Sequence, residues 1–261
     1  MKKIIILGIL VIGLGAYLYQ QKNGDTIVLD LPPVQEYREF IDNNIDVEQE
    51  VEIIEEEPVP PEEEMIEKEE TLMANSINLA VPFTSQAPTT NWQQPFQDAC
   101  EEASVLMVDY YYKNQVMPEP KEVEVILFEM VDWQIDNWGD HHNLTMSELA
   151  DFITTTFGYQ TELIPDLTPA KVIRYLDLGQ PIIIPANGHL LDNSNFSGDG
   201  PEYHMLVIKG YQDNYFVTND PGTRKGANFI YTSENLFASI AEWNQKESLA
   251  TGPQIGLVII K

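Results

Sequence analysis

The stretch YHMLVIKGYQDNYFVTNDPG, residues 203–222, decides the fold. It reads as a β-hairpin. An apolar run, Met205 to Ile208, enters it, Asp213-Asn214 form the tip, and Asp220-Pro221-Gly222 form the exit turn. His204 opens the first strand. An imidazole at the mouth of a buried strand is held rigidly, as a general base must be. Register decides which residue orients it. A three-residue loop, 212–214, pairs Tyr211 with Tyr215 and sets Asp220 opposite Leu206, on the His204 face and diagonal to it. Diagonal neighbours lie about 7–8 Å apart at the backbone, within reach of a carboxylate and a ring. A two-residue loop, Asp213-Asn214, flips the parity and offers Asn219 instead. We take the three-residue loop, with Asn214 left-handed and closing a bulge. Asp220 is therefore the expected partner.

Outward from the hairpin, PIIIPA (181–186) and QIGLVIIK (254–261) read as further strands. The segments before them carry helical spacing. In DACEEASVLMVDYYY (98–112), Asp98 is the expected N-cap with Glu101 at capping-box distance, and Ala99, Ala103, Leu106, Met107 and Tyr110 share a face. TMSELADFITTTFG (145–158) repeats the grammar with Thr145, Glu148 and a terminal Gly158. Residues 122–133 and 169–178 are also helical in pattern. Helices first and an antiparallel sheet after them define an α+β domain.

Cys100 is the only cysteine of the 261 residues. It falls in the first turn of its helix, where unpaired amides and the positive dipole end favour a thiolate. The competing reading is a small core hydrophobe. A thiolate attacking a carbonyl needs oxyanion donors. The Cys100 amide is one candidate, and Gln86, Gln93, Gln94 and Gln97 all precede the thiol. Of the other histidines, His141 and His142 sit in a loop before Thr145, and His189 opens the polar loop HLLDNSNFSGDGPEYH (189–204), which we expect to be a mobile flap over a cleft.

The formal charge of −28 opposes contact with nucleic acid, which needs Lys and Arg against phosphate. One cysteine excludes an internal disulfide and thiolate-rich zinc sites. No metal or organic cofactor is expected. At the N-terminus, Lys2 and Lys3 precede an uncharged apolar run, Ile4 to Tyr19. Residues 1–22 read as a membrane anchor, or else a signal peptide, with the remainder exported. In residues 46–70, 13 of 25 side chains are acidic and one is basic. Residues 23–76 are therefore expected to be a disordered acidic linker, and 77–261 the globular domain.

Two blocks, VPFTSQAP…NW…DACEEAS and YHMLVIKGYQDNYFVTNDPG, together resemble the papain-like cysteine peptidases of the bacteriocin-processing, double-glycine-leader type. The nearer likeness is to their stand-alone relatives. The resemblance implies a papain-like fold with N-terminal helices packed on a C-terminal antiparallel sheet. It implies Cys100 as nucleophile, His204 as base, Asp220 as orienter and Gln86, of the Ser85-Gln86 motif, as oxyanion donor. Spacing common among papain-like enzymes would pick Gln94; the motif picks Gln86. The expected function is an extracytoplasmic peptidase acting on peptides or proteins. The alternatives are an inactive binding module, motivated by the two glutamates beside the thiol, and an acyl or amide transferase using the same residues.

Overall fold

The structure is a computed structural model; it describes residues 31–37, 76–141 and 143–261. All elements below belong to one compact unit, Pro32–Lys261. The expected anchor and most of the expected acidic linker lie outside the described residues. Among the described residues, no helix is long and apolar enough to cross a membrane.

The first strand, β1 (Ile77–Asn78), is followed by a long loop and three helices: α1 (Cys100–Tyr112), α2 (Pro120–Trp138) and α3 (Met146–Phe157). Next come β2 (Gln160–Pro165), α4 (Pro169–Asp177), β3 (Ile182–Ala186), β4 (His204–Gln212), β5 (Tyr215–Asn219), β6 (Phe229–Thr232), α5 (Ser233–Ser239), a small ribbon of β7 (Trp243–Asn244) and β8 (Leu249–Ala250), and β9 (Ile255–Ile260). The main sheet runs β2-β9-β3-β4-β5-β6, and β1 also pairs with β4. All of these pairings are antiparallel. The α+β architecture is as the element order implies.

α1 packs on β4 at the centre. An apolar stripe along one side would have buried only part of it. Instead every residue but Tyr110 is buried, so the helix is enclosed all round and its polar residues need internal partners. Tyr111 donates to the Gly179 carbonyl and Tyr112 to that of Ile259, at 3.0 and 2.7 Å. The expected Asp98 cap does not form. Residues Phe96–Asp98 make a 3-10 turn, Ala99 takes the N-cap position with no side-chain cap, and Glu101 is free to turn inward. Thr145 and Glu148 do form a complete capping box, and Gly158 closes α3 in the left-handed region at φ 73°.

The hairpin differs from expectation in one respect and compensates in another. Its loop has two residues: Gln212 pairs with Tyr215, and Asp213 rather than Asn214 is left-handed, at φ 51°. That register alone would favour Asn219. A bulge between Ile208 and Gly210 then inserts Lys209 as an extra residue, after which Val207 pairs with Asn219. Parity is restored, and Asp220 follows across from Leu206.

Part of the expected linker is docked. Gln35 bridges Leu79 in parallel, with Gln35 N donating to Asn78 O and Ala80 N donating to Gln35 O, both at 2.8 Å. Tyr37 lies edge-on to Tyr112 and Tyr111, with ring centroids 4.7 and 5.5 Å away, and the Lys261 ammonium is 5.3 Å from its ring centre. These residues were expected to be disordered because the acidic run dominates their neighbourhood. Their own apolar and amide groups add them to the sheet edge.

Candidate active site

A cleft of about 640 Å³ opens where the start of α1 meets the start of β4 and the turn after β5. Cys100, His204, Gln86 and Gly222 all line it. The hairpin bulge points Asp220 back toward β4, and His204 Nε2 donates to Asp220 Oδ1 at 2.7 Å. Both side chains are buried, at 2% and 0% relative exposure. With Nε2 committed, Nδ1 is the nitrogen left to exchange a proton. The Met205 backbone, next in the chain after His204, is close enough to the Cys100 sulfur to act against the rise in the thiol's pKa. The helix and the strand thus bring thiol and imidazole to one cleft.

Asp220 is held by more than the histidine. Tyr231 donates to its Oδ2 at 2.6 Å, Asn193 Nδ2 donates to the same oxygen at 2.9 Å, and the Gly222 amide donates to Oδ1 at 3.0 Å. Burial on its own would raise the Asp220 carboxyl. The charge of His204 and the hydrogen bonds from His204, Tyr231 and Gly222 overcome burial and hold it below its ordinary range. Asn219 is occupied elsewhere: its amide donates to Val81 O and Pro82 O, tying the strand to the upstream loop.

Tyr231 and Asn193 were not singled out from the sequence. Tyr231 sits on β6, an element with no clear period in four residues. Asn193 sits within the loop that leads into β4. That loop overhangs the cleft, as expected, with Ser194 to Ser197 in its lining. It is also pinned, which a flap is not expected to be. Leu191 and Asn193 are buried, and Phe196 packs edge-on to the His204 ring at 5.4 Å. His189 is exposed and bonds within its own loop, to Asp199 O at 2.9 Å and Glu202 Oε2 at 3.2 Å, and does not join the site.

The Ser-Gln motif docks on the hairpin exit. The Gln86 amide and the Ser85 hydroxyl both donate to Pro221 O, at 3.0 and 3.2 Å. The Gln86 side chain then reaches to the turn before α1, where Nε2 donates to Phe96 O at 3.1 Å and Gln97 O at 2.7 Å. Gln86 thus joins the segment before the thiol to the segment after Asp220. Its two donor hydrogens face carbonyls, so serving an oxyanion requires releasing one of them. Gln94 is exposed and bonds to Asp98 instead.

The glutamates beside the thiol are inside the protein. Cys100 donates to Glu101 Oε2 at 2.9 Å, and Glu101 Oε1 accepts the Leu144 amide at 3.2 Å. Glu102 accepts from Gln134 and lies 3.3 Å from His141 Nε2, an ion-pair separation rather than a well-aligned hydrogen bond. Burial pushes the Cys100 thiol well up, and the charge and hydrogen bond of Glu101 add to it; the Met205 amide works in the opposite direction. Among the described residues, no group of His, Cys, Asp and Glu is arranged to hold a metal ion.

The model of the Peptidase C39-like family matches residues 78–251 of this sequence. The chain belongs to that family of C39-like peptidases. Among solved structures, it is similar to a protein from Bacillus anthracis assigned as a C39-like peptidase, with 13% identity, coverage of 70% of this chain and 95% of the other, and a TM-score of 0.46. No curated protein matches it at a significant level.

Proposed function

We propose that the chain hydrolyses peptide bonds through a covalent thioester on Cys100. The observation that carries this reading is the meeting, in one cleft, of the thiol at the tip of α1 with a histidine whose far nitrogen is fixed 2.7 Å from a buried carboxylate. In this scheme His204 Nδ1 takes the thiol proton and the sulfur adds to the carbonyl carbon. The carbonyl electron pair moves to oxygen, facing the Cys100 amide. That amide has no partner inside α1, because Cys100 is the first helical residue. Gln86, once it releases one carbonyl, is the second donor. His204 then protonates the departing amine, and water cleaves the thioester. Asp220 holds the ring in place and stabilises its cationic form. Residues 1–22 we read as the anchor of an extracytoplasmic enzyme, on the strength of Lys2, Lys3 and the apolar run that follows.

The test is incubation of the full chain with a mixed peptide library, read by mass spectrometry, beside Cys100→Ala and His204→Ala. Cleavage by the wild type alone supports the reading. Wild-type protein that is folded, inert toward the library and alkylated by iodoacetamide no faster with His204 than without it overturns it. That result would favour the binding module, for which the Cys100–Glu101 hydrogen bond is the specific argument. A transferase would instead join an added amine to the acyl fragment.

A further inference from the structure

Glu101 is the least expected neighbour of a nucleophilic thiol. Its carboxylate is 1% exposed, follows the cysteine directly in the helix and receives the S–H hydrogen bond at 2.9 Å. Its other oxygen is fixed by the Leu144 amide, so the side chain is held from both ends. A carboxylate in that position can be only an acceptor from sulfur. A carboxylic acid in the same position can be a donor to it.

We propose that Glu101 sets the protonation state of Cys100: ionised, it accepts the thiol hydrogen and keeps the sulfur protonated; neutral, it donates its own O–H to the thiolate. The inference rests on the peptidase reading above and deepens it. The exchange balances with one proton. Glu101 takes that proton from solvent and turns its O–H toward sulfur. The thiol proton passes to His204, and the thiolate–imidazolium pair results. Only O–H, S–H and N–H bonds change.

The surroundings favour a Glu101 that titrates near neutrality. Burial, reinforced by the charge of Glu102, lifts its carboxyl to about 7 despite the hydrogen bonds from Cys100 and the Leu144 amide. The groups that face this corner come from three elements. Cys100 and Glu102 share the helix. The loop before α3 brings His141, which burial lowers but the charges of Glu102 and Glu101 raise above its ordinary value. The entry to β4 brings His204 and Tyr203, whose hydroxyl donates to Leu144 O at 2.7 Å. Glu148 and Glu242 stand further off and act on Tyr203. Among the described residues, His141 pairs most closely with Glu102, at 3.3 Å, and the charge of Glu101 acts on it from further off.

Two measurements on the full chain test the assignment. In Glu101→Gln the side chain keeps an acceptor for the Leu144 amide but loses its charge. Iodoacetamide alkylation of this single-cysteine protein should then show a midpoint lowered by about one pH unit, with labelling about tenfold faster near neutral pH. An unchanged midpoint in a folded variant overturns the proposal, leaving Glu101 a structural residue. Should the variant fail to fold, the S–H infrared band of the wild type decides, because there is one cysteine to contribute it. The band should be present above about pH 7 and lose intensity as pH falls through it, where Glu101 titrates; a band that keeps its intensity overturns the proposal. His204→Ala separates the two levels. If it leaves alkylation unchanged, the peptidase reading falls. If it slows alkylation while Glu101→Gln has no effect, only the role of Glu101 falls.

Discussion

His204 Nε2 and Asp220 Oδ1 lie 2.7 Å apart across adjacent strands of one sheet, with essentially no solvent at either group. Asp220→Asn keeps the shape but exchanges a charged acceptor for an amide that can present the wrong atom to the ring. We expect peptide cleavage to fall by about 10²–10⁴-fold, read as kcat/KM on any peptide the wild type cuts. The sign for stability follows from the lowered carboxyl. Its contribution is present above the ordinary carboxylate range and is lost as acid protonates it, so Asp220→Asn should flatten the wild-type loss of stability at low pH.

Tyr231→Phe removes a single hydroxyl, the one that donates to Asp220 Oδ2 at 2.6 Å. Asn193 remains as the other donor to that oxygen. The expected loss is about 1–3 kcal/mol in urea unfolding, because a buried charged acceptor keeps only part of its shell. Activity should fall along with it, but by less than in Asp220→Asn.

Gly222 has no space for a side chain. A Cβ there would stand 2.8 Å from His204 Cε1 and 2.9 Å from Phe196 Cε1. Gly222→Ala should therefore displace the ring or the overhanging loop. We expect a folded protein whose alkylation no longer depends on His204, and whose cleavage rate is strongly reduced.

Lys209 is 2% exposed, with its ammonium on the side-chain oxygens of Asn78 and Asn228. Burial pushes it down from 10.5 to about 7. The folded state therefore gives up the proton before the unfolded chain does. This group makes stability rise with pH from about 7 to about 10.5. Glu101 acts in a lower window: raised from 4.5 to about 7, its contribution is full below 4.5 and is lost as pH rises through 7. In Lys209→Met the upper slope should vanish in urea titrations, while the lower one persists.

Tyr37 packs against Tyr111, Tyr112 and Lys261. Tyr37→Ala should cost about 1–2 kcal/mol, the value of a half-buried aromatic. A chain beginning at residue 32 should melt at a higher temperature than one beginning at residue 76.

Much of this was legible because the signals are local. Thr145 and Glu148 announce a helix by their spacing alone, and the apolar runs at 182–186 and 255–260 have no other use than a buried strand. β2 was not legible: it lies at the sheet edge, with Ile164 its one buried residue, so no alternation marks it. The site was legible in its residue types, since a cysteine at a helix start and a histidine at a strand start are separately visible. What stood behind them was not. Tyr231 and Asn193 reach Asp220 from distant segments, and nothing in either segment marks an acceptor awaiting them. Glu101 was visible as half of a capping box and as a charge beside the thiol, but not as a buried acceptor of its hydrogen. It turns inward because Asp98 ends a 3-10 turn instead of capping the helix.

One extra residue settles the geometry of the hairpin. A pleated strand sends successive side chains to opposite faces, so an odd insertion reverses everything beyond it. Deleting Lys209 would leave the tip, the apolar runs and the Asn219-Asp220-Pro221 sequence as they are. It would nonetheless swap the directions of the two neighbouring polar residues, presenting an amide to the imidazole and turning the carboxylate toward the upstream loop. Two chains with identical motifs could differ in this way by a single count, and only one of them would carry a charge behind its histidine.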